Sequence, residues 1–189
     1  MFFVYTDKRV FVKREGCLIK RDIFEKYVAD YGDTLSRLCF SLCKNSSDSY
    51  DLYQDTWLKA YVAYDNAQIR DFEKWLYKIC VNQFKDTYRK KLRGPQEICF
   101  DTNEHKDAFL VSIAAEDQYS EQDYSELYKA IAKLPEKLKI CISLKYFSDL
   151  SCADIASILN ISVSAVTTRL SRAIKALAKE MNNEKGEHI

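Results

Sequence analysis

The sequence predicts an all-α fold of two small helical domains joined by an acidic linker, the second of them a helix-turn-helix domain. Three observations carry that expectation. Four Gly and two Pro in 189 residues leave little room for the turns of a β-rich architecture. Apolar residues recur at three-to-four spacing over several long stretches, the period of an amphipathic helix. Between two such regions, Gly94-Pro95 breaks the pattern, and the segment from Gly94 to Glu126 carries nine acids against a single Lys, Lys106.

In chain order, residues 1–22 form an N-terminal extension. Phe3, Tyr5, Val10 and Val12 around Thr6-Asp7-Lys8-Arg9 suit a small β-hairpin or a disordered tail. The apolar start, Met1 to Tyr5, turns to Asp7, Lys8 and Arg9 too soon for a signal peptide. No later stretch approaches the roughly eighteen apolar residues of a membrane span, so a cytoplasmic location without membrane insertion is expected.

The first domain is expected over 23–93. Ile23, Phe24, Tyr27, Val28, Tyr31, Leu35, Leu38, Cys39 and Leu42 mark one helix, ended by the polar run Asn45 to Ser49. A second runs from Asp51 to about Tyr64. After a short polar loop, Asp71 is an N-cap for a third, Phe72 to Leu92. The linker spans 94–126, and its Ile98, Phe100, Phe109, Leu110, Val111 and Ile113 suggest that parts of it dock. The second domain is expected over 127–181, followed by a tail at 182–189. Helical periodicity resumes at Leu127, Pro135 starts a new helix, and Ser151-Cys152-Ala153-Asp154 fits a capping box. Asn160-Ile161-Ser162 makes a tight turn into a last helix capped by Ser162.

Seven cysteines form an odd set without a Cys-x-x-Cys pair, and most fall on the apolar side of a helical pattern, so they are read as reduced core residues. Cys39 and Cys43 share a face, but two thiolates without a nearby His leave a zinc site half built. No metal or cofactor is expected.

The short helix, tight turn and longer helix near the C-terminus make a helix-turn-helix, whose second helix enters the major groove of DNA. Val163, Val166, Leu170, Ile174 and Leu177 form the stripe expected to face the core. The opposite face holds Ser164, Ala165, Thr168, Arg172, Lys175 and Lys179, flanked by Thr167 and Arg169, and carries no carboxylate. Small hydroxyl residues allow close approach to base edges, and Arg and Lys neutralise phosphates. The ordinary alternative is a solvated polar face. The third helix ends in a second basic cluster, Lys85, Arg89, Lys90, Lys91 and Arg93. With Trp75, Tyr77, Phe84 and Tyr88 nearby it could bind single-stranded DNA by charge and ring stacking, though helix-dipole solvation also favours such an end.

The run Asp51-Leu52-Tyr53-Gln54-Asp55-Thr56-Trp57-Leu58-Lys59-Ala60 resembles a helix of bacterial sigma factors, and Trp75 to Asn82 with Asp86 resembles the segment that follows it. Leu134-Pro135-Glu136, Tyr146-Phe147, Leu150-Ser151, Ile155-Ala156, Leu159, Ile161-Ser162, Val166 and Arg169-Leu170 resemble the C-terminal helix-turn-helix domain of the same family, in the order of its extracytoplasmic-function (ECF) group. The resemblance implies an alternative sigma factor that binds core RNA polymerase through its beta-prime and beta subunits. Asp51, Gln54 and Asp55 would be polar contacts to the coiled coil of the largest subunit, with Leu52 and Leu58 in the core. The loop from Tyr64 to Asp71 with Asn82, Lys85 and Arg89 would read and help melt the minus-10 element of promoter DNA. Ser164, Thr167, Thr168, Arg169, Arg172 and Lys175 would read the minus-35 element. The acidic linker would run near the template and RNA path, and an anti-sigma factor would hold the protein inactive. Residues 1–20 lie outside that pattern; apart from the resemblance, the extension is expected to pack on the first domain and modulate polymerase or anti-sigma binding.

The residues offer little to an enzyme. His105 and His188 are the only histidines, and no Gly-rich phosphate loop, Ser-His-Asp order or carboxylate–His cluster is present, so no catalytic residue is expected. A stand-alone DNA-binding regulator remains the alternative; it would need a dimer interface or ligand pocket in the first bundle.

Overall fold

The computed structural model describes residues 8–43, 45–67, 69–93 and 121–186, which form seven α-helices and one 3₁₀ turn with no strand among them. The helices are α1 (Lys8–Leu42), α2 (Ser46–Ala63), α3 (Phe72–Arg93), α4 (Glu121–Lys133), α5 (Glu136–Tyr146), α6 (Cys152–Leu159) and α7 (Val163–Gly186). The apolar linker positions 98–113, together with Phe3, Tyr5, Cys99, His105 and His188, lie outside the described residues. The chain divides into two compact units, 1–33 and 34–189.

In the first unit the backbone is helical from Lys8, so Val10 and Val12 do not belong to a hairpin. The run from Lys8 to Ile23 holds three Lys and three Arg, which lose little rotamer freedom in a helix, with no Pro and a single Gly, Gly16. Nothing therefore stops α1 from starting fifteen residues before Ile23. Along the helix, Phe24 meets Tyr27 edge-on with ring centroids 6.0 Å apart, and Tyr27 meets Tyr31 at 6.2 Å. The Arg21 guanidinium donates to Glu25 at 2.8 Å on the exposed side.

The second unit opens with Leu35, Leu38, Cys39 and Leu42, all fully buried. α2 begins at Ser46, five residues before Asp51. The Asn45 side chain accepts from the Asp48 amide at 2.7 Å, and the Ser49 hydroxyl donates to the Asn45 carbonyl at 2.7 Å. The serine run looks polar enough for a loop, yet it is a capped first turn with Ser46 and Ser49 buried. Asp71 caps α3 as expected, accepting from the Lys74 amide at 3.1 Å. α2 packs against α3; Leu52, Thr56 and Ala60 of α2 and Leu76, Tyr77, Cys80, Val81 and Phe84 of α3 are all buried.

α5 forms the centre of the C-terminal bundle. Lys139, Ile140, Cys141, Ile142, Ser143 and Leu144 are consecutive and all buried, the mark of a helix covered on every side. The buried Lys139 ammonium donates to the Ala132 carbonyl at 3.0 Å, satisfying one open carbonyl at the end of α4. Pro135 occupies the cap position of α5. Ser151 accepts from the Asp154 amide at 3.1 Å and donates to its carboxylate at 2.6 Å, so both partners of the capping box engage. Asn160 ends α6 in the left-handed conformation (φ 53°, ψ 52°), and the Ile161 amide returns to the Ala156 carbonyl at 3.0 Å. Ser162 caps α7 through the Ala165 amide at 3.2 Å. α7 then packs on α4, α5 and α6.

Candidate nucleic-acid interface

α6, the Asn160 turn and α7 form the helix-turn-helix, and burial fixes which face of α7 is free. Val166, Leu170 and Ala173 are buried, whereas Val163 and Ile174 are 47% and 48% exposed. The expected stripe is therefore rotated. Ala173 replaces Ile174 because the centre of the bundle is filled by α5, and a small side chain there lets the helices approach. The exposed face carries Ser164, Thr167, Thr168, Arg172 and Lys175, as the sequence suggested, and adds Ser171 and Ile174. Ser171 continues the spacing 164, 168, 171, 175, which could have revealed it.

The Thr167 and Thr168 hydroxyls both donate to the Ser164 carbonyl, at 2.9 and 2.8 Å. Their protons are engaged by the helix while their lone pairs stay outward. In this state the pair can accept hydrogen bonds, such as those from the exocyclic amines of cytosine or adenine. Arg169 is different: it is half-buried, its side chain bonds the buried Cys141 thiol, and Lys85 lies within its electrostatic reach.

On α3, Asn82 and Arg89 are exposed and Lys85 is half-buried. Burial pushes the Lys85 ammonium below the ordinary lysine range; Arg89 and Arg169 push the same way, with Glu136 opposing. Arg89 also contacts the Asp86 carboxylate at 3.4 Å. Tyr77 is fully buried and Phe84 nearly so, which removes both from any stacking role. Phe84 meets Tyr88 at 6.0 Å, and Phe72 meets Trp75 at 5.7 Å, so these rings consolidate the bundle; Trp75 and Tyr88 remain partly accessible. Lys90 is exposed, while the side chains of Lys91 and Arg93 lie outside the described residues.

The outer face of α2 presents Asp51, Gln54 and Asp55, all exposed, in line with Leu58 (62%) and Val62 (66%). Leu52 is buried as expected, but Leu58 is not. Leu58 and Val62 continue the three-to-four spacing of Asp51, Gln54 and Asp55, and that spacing was the available signal. Asp55 accepts from the Gln83 amide at 3.0 Å, and the Gln83 carbonyl oxygen accepts from Lys59, so this polar chain fastens α2 to α3.

The helical bundles also meet each other within the second unit. Lys74 of α3 binds Asp154 of α6 at 2.8 Å and Asp71 at 3.0 Å. Phe40 meets Tyr128 edge-on at 4.7 Å, and Tyr128 stacks on Phe147 at 5.4 Å.

A helix-turn-helix with an acid-free outer face, beside a second helix ending in cations, defines a class of helical DNA-binding protein. The comparisons narrow that class. Residues 27–94 match the model of sigma-70 region 2, and residues 124–177 match that of sigma-70 region 4. The ECF RNA polymerase sigma factor SigW of Bacillus subtilis is 32% identical over 86% of this chain and 91% of its own. Among solved structures, CnrH in complex with the cytosolic domain of CnrY is 25% identical over 86% of this chain and 90% of that one, with a TM-score of 0.64. The sigma factor RpoE of Bartonella quintana, solved with the anti-sigma factor NepR, shares the fold at 23% identity and a TM-score of 0.67, over 84% of this chain and 96% of its own. This chain belongs to the sigma-70 family, in its ECF group, and acts in promoter-specific transcription initiation with core RNA polymerase.

Proposed function

We propose that the chain is an alternative sigma factor whose α2 face docks on core RNA polymerase, whose α3 end captures the minus-10 element, and whose α7 face reads the minus-35 element. The observation that carries this reading is the exposed, carboxylate-free face of α7 from Ser164 to Lys175, on a helix-turn-helix whose caps all engage. On α2, Asp51, Gln54 and Asp55 supply polar contacts, and Leu58 and Val62 add apolar area that water covers in the free protein. On α3, Asn82, Lys85 and Arg89 attract the strand. The flipped base needs a pocket that offsets a few kcal/mol of unstacking. The linker runs near the template and RNA path, and the extension tunes polymerase or anti-sigma binding.

An anti-sigma factor is the expected inhibitor; RpoE is solved with the anti-sigma factor NepR, and CnrH with the cytosolic domain of CnrY. The protein itself supplies no catalytic group and works in the cytoplasm; among the described residues no helix is long and apolar enough to cross a membrane. Transcription by purified core polymerase from a promoter library, with and without the protein, tests the reading. Specific initiation should require the protein and fall with an Asp51→Ala, Gln54→Ala, Asp55→Ala triple variant; a core polymerase that neither binds it nor starts anywhere new would overturn the reading.

A further inference from the structure

α7 opens on an apolar side chain that its packing does not use. Val163 is the first residue of the helix and is 47% exposed, although Val166, Leu170 and Ala173 beyond it are buried. The turn around it is closed twice: the Ser162 hydroxyl accepts from the Ala165 amide at 3.2 Å, and the Ser162 carbonyl accepts from the Val166 amide at 3.2 Å. A β-branched side chain on helical backbone has one strongly preferred rotamer, so the Val163 methyls are held in a fixed direction, leaning toward the tip of the helix. A helix start ordinarily favours Asp or Glu, whose charge complements the helix dipole. The first turn of α7 carries no acid, and neither burial nor the dipole accounts for a valine there.

Val163 stands one turn before Thr167, the spacing that sets two side chains beside each other on a helix surface, about 5–6 Å apart at Cβ. The Thr167 hydroxyl donates to the Ser164 carbonyl at 2.9 Å, so in this state it meets a base edge as an acceptor. An acceptor takes a hydrogen bond from the exocyclic amine of adenine or of cytosine alike, and Thr167 by itself leaves A·T and C·G pairs undistinguished. The C5 methyl of thymine removes that ambiguity, because it marks the A·T pair in the major groove and is absent from C·G. An apolar side chain fixed next to a hydroxyl acceptor is the complement of that pattern. Recognition helices present their N-terminal residues to base edges, and Val163 and Thr167 stand at that end of α7. Ile174, the other half-exposed aliphatic residue of the helix, lies about 16 Å further along the axis at 1.5 Å per residue.

We propose that Val163 is a specificity-determining residue that packs against the C5 methyl of a thymine in the minus-35 element, and that with Thr167 it selects A·T over C·G at that point. The proposal rests on the promoter reading, in which α7 is the helix that enters the major groove. Its target is a single methyl group, which can be removed from the DNA while every hydrogen-bonding group of the base stays in place.

Duplexes selected from a random-sequence library by core polymerase carrying the full chain supply the probe. Each thymine of the minus-35 region, on either strand, is then replaced in turn by uracil, which differs only by the missing methyl. Wild-type affinity should fall about fourfold at one such position, the contribution of one buried methyl group. In Val163→Ser the thymine and uracil duplexes should bind equally at that position, and the preference for A·T over C·G there should shrink. Val163→Ile keeps the branched apolar surface and should retain both. Helix content by circular dichroism and the thermal midpoint should match the wild type in both variants, since the side chain is half-exposed. Equal binding of thymine and uracil at every position by the wild type would overturn the proposal. Methyl sensitivity that survives Val163→Ser, or that disappears with Ile174→Ser instead, would overturn it too. A chain that selects no sequence, with or without polymerase, would sink the promoter reading and the proposal together; a sequence selected without regard to the methyl would sink the proposal alone.

Discussion

The sulfur atoms of Cys39 and Cys80 lie 3.7 Å apart in the fully buried layer where α1 meets α3. Burial, with the neighbouring Cys80 and Cys43 sulfurs adding to it, raises the Cys39 thiol well above its ordinary value. A thiol held neutral is a poor nucleophile. In native protein treated with iodoacetamide at pH 8, mass mapping should therefore find Cys39, Cys80 and the buried Cys141 unmodified while half-exposed Cys43 and Cys152 react. Urea should bring the buried set up together at the unfolding midpoint.

Leu52 and Leu58 are six positions apart on α2 and separate fold from function. Leu52→Ala should destabilise by about 2–4 kcal/mol through the cavity it leaves, read as a fall in the denaturation midpoint. Leu58→Ala should change stability by no more than about 0.5 kcal/mol because the side chain is already in water. Its effect should appear in core-polymerase affinity, measured by fluorescence anisotropy, and Val62→Ala should behave alike.

On α7 the contacts sort by chemistry. Thr168→Val keeps the shape of the side chain but loses the hydroxyl, so it should cost about 1–3 kcal/mol at one base pair and relax the preference there. Arg172→Ala or Lys175→Ala should weaken binding to all sequences alike and reduce the salt slope by about one. Binding of promoter variants by holoenzyme across a salt series distinguishes the two patterns.

Lys85 carries a conflict between stability and use. Its ammonium is pushed below the ordinary lysine range by burial, so the unfolded chain binds the proton more tightly and folded stability rises with pH until Lys85 is neutral. Lys85→Met should raise stability slightly, by about 0.5 kcal/mol or less after screening, seen as a small rise in the thermal midpoint, and should weaken opening of the minus-10 region, read by permanganate footprinting.

The Lys74 ion pairs have their own pH signature. Hydrogen bonds from Lys74 hold the Asp71 and Asp154 carboxyls below their ordinary range, with Ser151 adding to Asp154. A depressed carboxylate stabilises the folded form above its unfolded pKa, about 3.9, and that contribution is lost as pH falls through the lower folded value. The contribution of these two carboxylates to stability, read by denaturation midpoints, should accordingly stay flat from pH 8 to 5 and fall only below about pH 4, and Lys74→Met should shrink that loss.

The caps and the helix-turn-helix were legible because their signals are local. Ser151 with Asp154, Asp71 before Phe72, and Ser162 before Val163 each specify a helix start from three or four residues. What escaped depended on neighbours distant in sequence. The start of α2 was misread because Ser46 and Ser49 look like loop residues until their burial is seen. The rotation of α7 that buries Ala173 and exposes Ile174 follows from the bulk of α5, which periodicity within α7 cannot report. Tyr77 and Phe84 offered rings to a nucleic acid on paper and to the core in space. At the site, the exposed hydroxyls of α7 and the acids of α2 were readable, whereas the Lys74 bridge joins positions 80 apart that no motif connects.

The half-burial of Lys85 and Arg169 also bears on how such a protein attaches to DNA away from promoters. Loose attachment to arbitrary chromosomal DNA scales with the number of phosphates a protein can neutralise. In a chain of formal net charge +1, the exposed cations of α3 and α7 include Arg89, Lys90, Arg172, Lys175 and Lys179. Such attachment rests on side chains of this kind and falls steeply as salt rises.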